Sequence, residues 1–225
     1  MLPLKDDNPT RIVPFVTLSL IALNVAAFLW TLFLPPAAQK EVILRLAIVP
    51  YRVTHLDAGD PVALLAGARS FLVAMFLHGD ILHIAGNMLY LWIFGNNIEE
   101  AMGRGRFLVF YLLCGLVASL TQIAASPASR LPMIGASGAI AGVLAAYLVL
   151  FPAARVFTLI FLLFFVRVVP IPAVIVLGFW FLLQLLSAGS LAEGGVAFFA
   201  HIGGFVAGLV LVVPFRRRRT RQALY

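Results

Sequence analysis

The sequence predicts an all-α fold, a polytopic membrane helix bundle with six transmembrane helices, and three observations carry that prediction. Of the 225 residues, 63% are hydrophobic and 11% are charged, with a mean hydropathy of +1.06. A soluble domain carries about a quarter charged residues, so this chain lacks the polar surface to cover a water-soluble globule. The apolar residues are gathered into runs close to the ~20 residues that a helix needs to cross a hydrocarbon core. Finally, basic residues are unevenly divided between the segments that join those runs.

Taken in chain order, residues 1–12 are too polar for the apolar region of a signal peptide and are expected to form a cytoplasmic N-terminal segment. The membrane domain follows over residues 13–215, with clear spans near Val13–Leu34, Ile81–Ile98, Phe107–Ala125, Ala136–Phe151 and Val196–Phe215. Residues 35–80 form a long outer loop. Its apolar stretches are broken by Asp57, Gly59, Asp60 and Pro61, which suits short amphipathic pieces in the interface. The apolar stretch Val156–Ser187 contains Arg167 and is broken by Pro170 and Pro172, which disfavour helix at and before themselves. It reads either as one crossing from about Ala173 after an interfacial or re-entrant piece, or as two short crossings. Residues 216–225 are a basic cytoplasmic tail.

Charge favours the count of six. With the N-terminus inside, the inner segments hold eleven basic residues: Lys5, Arg11, Arg104, Arg106, Arg155, Arg167, Arg216 to Arg219 and Arg221. The outer segments hold five: Lys40, Arg45, Arg52, Arg69 and Arg130. Seven spans would put the arginine tail outside, against the positive-inside rule. The net charge of +7 is therefore read as topology and contact with anionic lipid, with no role for nucleic acid. The single cysteine, Cys114, allows no internal disulfide.

Polar groups inside a membrane are expensive and are functional candidates by default. In the six-span topology the second, fourth and sixth helices begin on the same side. His83 and Asn87 enter the second, Gly135-Ala136-Ser137-Gly138 opens the fourth, and His201 lies one to two turns into the sixth. The fourth helix carries a small face at Ser137, Gly138, Ala141 and Gly142, and the sixth carries His201, Gly204 and Gly208 on one face. Small faces let helices approach closely in lipid, which would set Ser137 opposite His201. A serine hydroxyl needs a base to become a nucleophile. Among the nine acids, Glu193 lies in a loop and Asp80 is nearer His83, so a Ser–His dyad is the natural reading. His83 and Asn87, four apart on one helical face, and the Ser137 amide at a helix N-terminus would serve a developing oxyanion. His78 and His83 are five apart, a poor helical pair for a metal, and no metal is expected.

These residues resemble the rhomboid family of intramembrane serine proteases. The match rests on His78-x4-His83-x3-Asn87, on Glu99 in Asn97-Ile-Glu-Glu-Ala-Met-Gly, on Gly135-Ala-Ser137-Gly138, and on Ala200-His201-Ile-Gly-Gly204-x3-Gly208, in the family's order over residues 76–208. The resemblance implies Ser137 as nucleophile and His201 as general base and acid. It implies an oxyanion and substrate site of His83, Asn87, Gly135 and the Ser137 amide. His78, Glu99, Gly138, Gly204 and Gly208 take structural roles, His78 around the first loop and Glu99 in a network near the cytoplasmic end of the second helix. It further implies no cofactor, single-span transmembrane proteins as substrates, a small residue before the cut bond, and lateral entry past helix 5 or a loop. The chain departs from the pattern in two places. Ala141 stands where some bacterial members carry a tyrosine stacked on the histidine, and Arg69-Ser70 lies near where many carry Trp-Arg. A bacterial inner membrane with both termini cytoplasmic is the expected location. The alternative function is an inactive rhomboid-like protein that binds membrane clients without cutting them.

Overall fold

The structure, a computed structural model, describes residues 2–162, 165–189 and 197–217. Glu193 and the tail arginines Arg218, Arg219 and Arg221 lie outside the described residues. Six apolar helices form the bundle: α1 (Phe15–Leu32), α5 (Ile81–Met102), α6 (Arg104–Ala125), α7 (Ser137–Leu150), α8 (Ala173–Gly189) and α9 (Phe198–Phe215). Of these, α1, α6 and α9 are individually long and apolar enough to cross a membrane. Between α1 and α5 lie α2 (Pro36–Leu46), α3 (Pro50–Thr54), α4 (Pro61–Val73) and a 3-10 turn at Ala74–Phe76. These are the short pieces expected of the outer loop. Proline stands in the first turn of α2, α3 and α4, where its missing N–H has no partner to lose. The Asp60 carboxylate accepts from the Val62 N–H at the start of α4, and Asp80 accepts from His83 N–H at the start of α5. The chain bends by 81° between Pro61–Phe76 and α5.

Helix α7 is the centre of the bundle. Every residue from Gly138 to Tyr147 is buried, enclosed by α5, α6, α8 and α9. Its small residues let the neighbours come to backbone distance. A Cβ placed on Gly204 would run into the Gly138 carbonyl oxygen, and one on Gly208 would run into Gly142. The two small faces therefore meet, as their spacing predicts. At the same junction Gly138 packs on Ala118 and Gly142 on Cys114, both from α6. Helix α1 buries a single stripe, Thr17, Leu20, Asn24, Phe28 and Thr31. Its N-terminus is held by the fully buried Glu99 of α5, which accepts from Val16 N–H at 3.0 Å and from Thr17 N–H and Oγ1–H at 2.8 Å. An anion at a helix N-terminus is favoured by the unpaired N–H groups and the helix dipole.

The stretch after α7 is neither re-entrant helix nor a pair of short crossings. Residues β2 (Arg155–Leu162) and β3 (Phe165–Pro172) pair antiparallel, and β1 (Leu2–Asp6) joins them in the order β1-β2-β3. The physical reason is composition. Val156, Thr158, Ile160, Val166, Val168, Val169 and Ile171 are β-branched and favour strands. Pro170 and Pro172 are tolerated because β3 is an edge strand, where a missing ladder donor costs little. A helix begins at the expected Ala173, as α8. The N-terminal segment is thus paired in a sheet, and it is anchored: Asp6 accepts from Asn97 Nδ2 at 3.0 Å and from the Tyr147 hydroxyl near the end of α7.

Two expected outcomes follow from this packing. Gly204→Ala adds one methyl group against a backbone carbonyl that cannot turn aside, so α7 and α9 must separate. Thermal unfolding in detergent should show a loss of about 2 kcal/mol or more, and unchanged stability would contradict the contact. For Asp6, burial holds the carboxyl above its ordinary value of 3.8, with the Tyr147 hydrogen bond acting in the opposite sense. The folded state then keeps this proton to higher pH than the unfolded chain, and the stability so gained is lost as pH rises through the raised value. Asp6→Asn should therefore be at least as stable as wild type at pH 7, with the wild type gaining on it as pH falls towards 4. A difference that does not change with pH would refute this.

Candidate active site

The site is built where α7 begins. Gly135 adopts φ +113, a region closed to side chains with a Cβ. Its N–H donates to the Ala74 carbonyl at 2.9 Å, while Ile48 and Met133 exchange N–H···O bonds just before it. The loop is thereby pinned to the 3-10 turn, and the chain turns so that Ser137 is the first residue of α7. The first N–H groups of the helix have no carbonyl within the helix to meet and point out of that end. At 14 residues the helix is about 21 Å long by its 1.5 Å rise, against a hydrocarbon core of about 30 Å.

His201 stands in the first turn of α9, and its backbone N–H donates to the Ala197 carbonyl. Because α7 and α9 touch at Gly138 and Gly204, the side chains just above the contact converge. Ser137 Oγ lies 2.8 Å from His201 Nε2, and both residues are half-buried. His201 Nδ1 lies 2.7 Å from Oε1 of Gln184 on α8. The Trp180 ring is centred 5.9 Å from the imidazole and Phe198 stands edge-on at 6.5 Å. These α8 and α9 groups surround His201, and Ala141 is fully buried in the core.

His83 and Asn87 sit beside Gly135. A Cβ there would come within 2.7 Å of His83 Nε2 and 3.6 Å of Asn87 Nδ2. Asn87 Nδ2 donates to His78 Nε2 at 2.8 Å, which fixes the carboxamide on the serine side of its helix. The His78 ring, 1% exposed, meets the His83 ring edge-on at 4.9 Å. His78, expected to support the first loop, acts on Asn87 directly. Glu99 is at the opposite end of α5, holding α1. A small cavity of about 40 Å³ borders Ser137, lined among others by Met75, Gly115, Ser119, Met133 and Ala200. This exceeds the ~10–15 Å³ that one water needs in a cavity so measured.

Sequence reasoning passed over Gln184. The signal was available: it is the one amide in α8, among residues that are nearly all apolar, and a polar group in such a helix is a functional candidate by the same rule that singled out His201. Gln122 was also passed over. Its Oε1 accepts from the Ala200 N–H at 3.2 Å and so ties α6 to the start of α9.

Fold and site together define a multi-pass integral membrane protein in which a serine and a histidine from neighbouring helices share a hydrogen bond inside the bundle. Residues 67–218 match the Rhomboid domain, and the chain belongs to the rhomboid family. It is 29% identical over 222 residues to Rhomboid protein 1, mitochondrial, of Saccharomyces cerevisiae, across 91% of this chain and 56% of that protein. It is 44% identical over 77 residues to Rhomboid protease GluP of Bacillus subtilis, across 34% of this chain and 15% of that protein. Presenilin-associated rhomboid-like protein, mitochondrial, of Homo sapiens is 35% identical over 86 residues, 37% of this chain and 23% of that protein. The matches thus span little more than half of the yeast relative's length and less of the others'.

Gly135→Ala tests the architecture of the site. The substitution strains the backbone and drives a methyl group into His83, so it should cost about 1–3 kcal/mol and displace the imidazole. Thermal unfolding measures the first effect. Histidine ring NMR measures the second, and a wild-type spectrum with wild-type stability would contradict the arrangement.

Proposed function

We propose that the protein is an intramembrane serine endopeptidase that cuts single-span membrane proteins in or near their transmembrane segment. The observation that carries this reading is the 2.8 Å contact between Ser137 Oγ and His201 Nε2, half-buried at the N-terminal end of α7. His201 Nε2 takes the hydroxyl proton as Oγ attacks the scissile carbonyl carbon, forming a C–O bond and a tetrahedral oxyanion. The C–N bond then breaks, and Nε2–H gives the proton to the leaving amine. Water, deprotonated by the same imidazole, hydrolyses the acyl-enzyme and restores Ser137. The negative oxygen is met by the Ser137 N–H at the start of α7, with the dipole of that helix in the favourable sense. His83 and Asn87, beside Gly135, supply side-chain donors.

The small cavity beside Ser137 suits an alanine-sized side chain before the cut bond, and larger side chains would have to displace residues that line it, Met75 and Met133 among them. A substrate helix has its carbonyls hydrogen-bonded within itself, so a segment with helix-breaking residues presents them more readily. For orientation, the basic residues Arg104, Arg106, Arg216 and Arg217 gather at the end of the bundle away from Ser137. The positive-inside rule puts that end, and both termini, in the cytoplasm of a bacterium, with the site facing outward and anionic lipid headgroups beside the arginines. The same charge bias would serve a mitochondrial inner membrane, the organelle that the names of the yeast and human relatives carry.

Labelling of the purified protein by a fluorophosphonate probe tests the dyad without a known substrate. Wild type should label, and Ser137→Ala and His201→Ala should each lose labelling and reduce cleavage of a transmembrane reporter by about 10⁴-fold or more. Reporters with alanine before the bond should be cut in preference to those with phenylalanine. A folded wild type that neither labels nor cuts would overturn the proposal in favour of client binding.

A further inference from the structure

We infer that Gln184 on α8 is a positioning residue that sets the tautomer and orientation of His201, the part that a carboxylate plays in a catalytic triad. The inference rests on the protease reading above and deepens it. A glutamine side chain has one accepting and one donating end, and its neighbours decide which way it faces. Gln184 Nε2 lies 3.3 Å from the carbonyl oxygen of Trp180, one turn earlier in α8. A carbonyl can only accept, so the NH₂ must face it. The reversed amide would set two acceptor oxygens against each other.

That leaves Oε1 as the atom 2.7 Å from His201 Nδ1. Oε1 can only accept, so Nδ1 carries the proton. A neutral imidazole has one protonated nitrogen, and Nε2 is therefore the bare one, 2.8 Å from the Ser137 hydroxyl. This is the tautomer a general base needs, and one backbone carbonyl on α8 dictates it through two hydrogen bonds. When Nε2 takes the serine proton, the imidazolium keeps its Nδ1–H···Oε1 bond. A neutral amide stabilises that cation less than a carboxylate would, so the base is oriented without being made strongly basic. Trp180 lies beside the same imidazole, so α8 supplies both the hydrogen-bond partner and an aromatic neighbour. With Ala141 offering no ring on α7, His201 takes its support from α8.

The test compares wild type with Gln184→Leu and Gln184→Glu, using Leu186→Ala on the lipid-exposed side of α8 as a control for general disturbance of the helix. The readouts are kcat and KM on a transmembrane reporter, fluorophosphonate labelling rate from pH 5 to 9, and ¹⁵N NMR of the ring nitrogens, with His201 assigned by subtraction of the His201→Ala spectrum. Gln184→Leu should lower kcat and labelling about 10- to 100-fold with KM within twofold, and should release His201 from the Nδ1–H form. Gln184→Glu should recover most of the rate at high pH but move the acid limb of the profile upward by about one unit or more, since a carboxylate favours the imidazolium. Leu186→Ala should behave as wild type. The inference is overturned by a Gln184→Leu rate within twofold of wild type, by a Gln184→Glu profile that superposes on the wild-type one, or by a wild-type His201 protonated at Nε2. A wild type that neither labels nor cuts would instead sink the protease reading, while the NMR result would still decide whether Gln184 sets the tautomer.

Discussion

The contact on which the rest of this structure depends is the one between the backbones of α7 and α9 at Gly138, Gly142, Gly204 and Gly208. In lipid the hydrophobic effect gives helices no reason to associate, and close packing with small residues supplies it instead. Here the approach is so close that a single methyl group has no room. Everything chemically interesting sits about one turn from that contact. Two side chains on helices that touch through glycine are held near each other by backbone, and the 2.8 Å spacing of Ser137 and His201 follows without a loop to arrange it.

A second constraint is length. Helix α7 is buried nearly throughout and too short to fill a bilayer, so both of its ends must be dealt with. At one end stand Ser137 and the polar groups near it, His201, His83 and Asn87. At the other, the three-stranded sheet gathers near the end of the helix, with Asp6 bonded to Tyr147 and Asn97. The N-terminal segment thus holds the far end of the same helix that presents the serine. Glu99 holds α1 in a comparable way, by giving its N-terminus a buried carboxylate. Asp6 and Glu99 thus organise helix termini at one end, while Ser137, His201, His83 and Asn87 gather at the other.

Helix α8 stands apart from this rigid centre. Many of its side chains face outward, including Val174, Ile175, Phe179, Leu182 and Leu186, yet it carries the two groups that flank His201 on that side. A hydrogen bond weakens steeply once its partners part by a few tenths of an ångström beyond ~3.2 Å. The hydrogen bond to His201 Nδ1 therefore depends on where α8 rests.

Much of this was legible in the chain before any coordinates. The spans were readable because a membrane requires long apolar helices and confines arginine to their ends, and α8 begins at the expected Ala173. Ser137, His201, His83 and Asn87 stood out because polarity is costly where they lie, and the small faces of α7 and α9 because glycine every fourth residue has few other uses in lipid. The strands of residues 155–172 were not legible: an apolar, β-branched stretch interrupted by proline suits an edge hairpin and an interfacial piece equally, and only pairing with β1 distinguishes them. Nor was the partner of His201. Helical periodicity states which face a residue is on but not how far one helix slides or turns against the next. The meeting of Gln184 with Nδ1, and of Asn87 with His78, depends on that displacement, so the sequence by itself determined the groups and the tertiary structure decided their bonds.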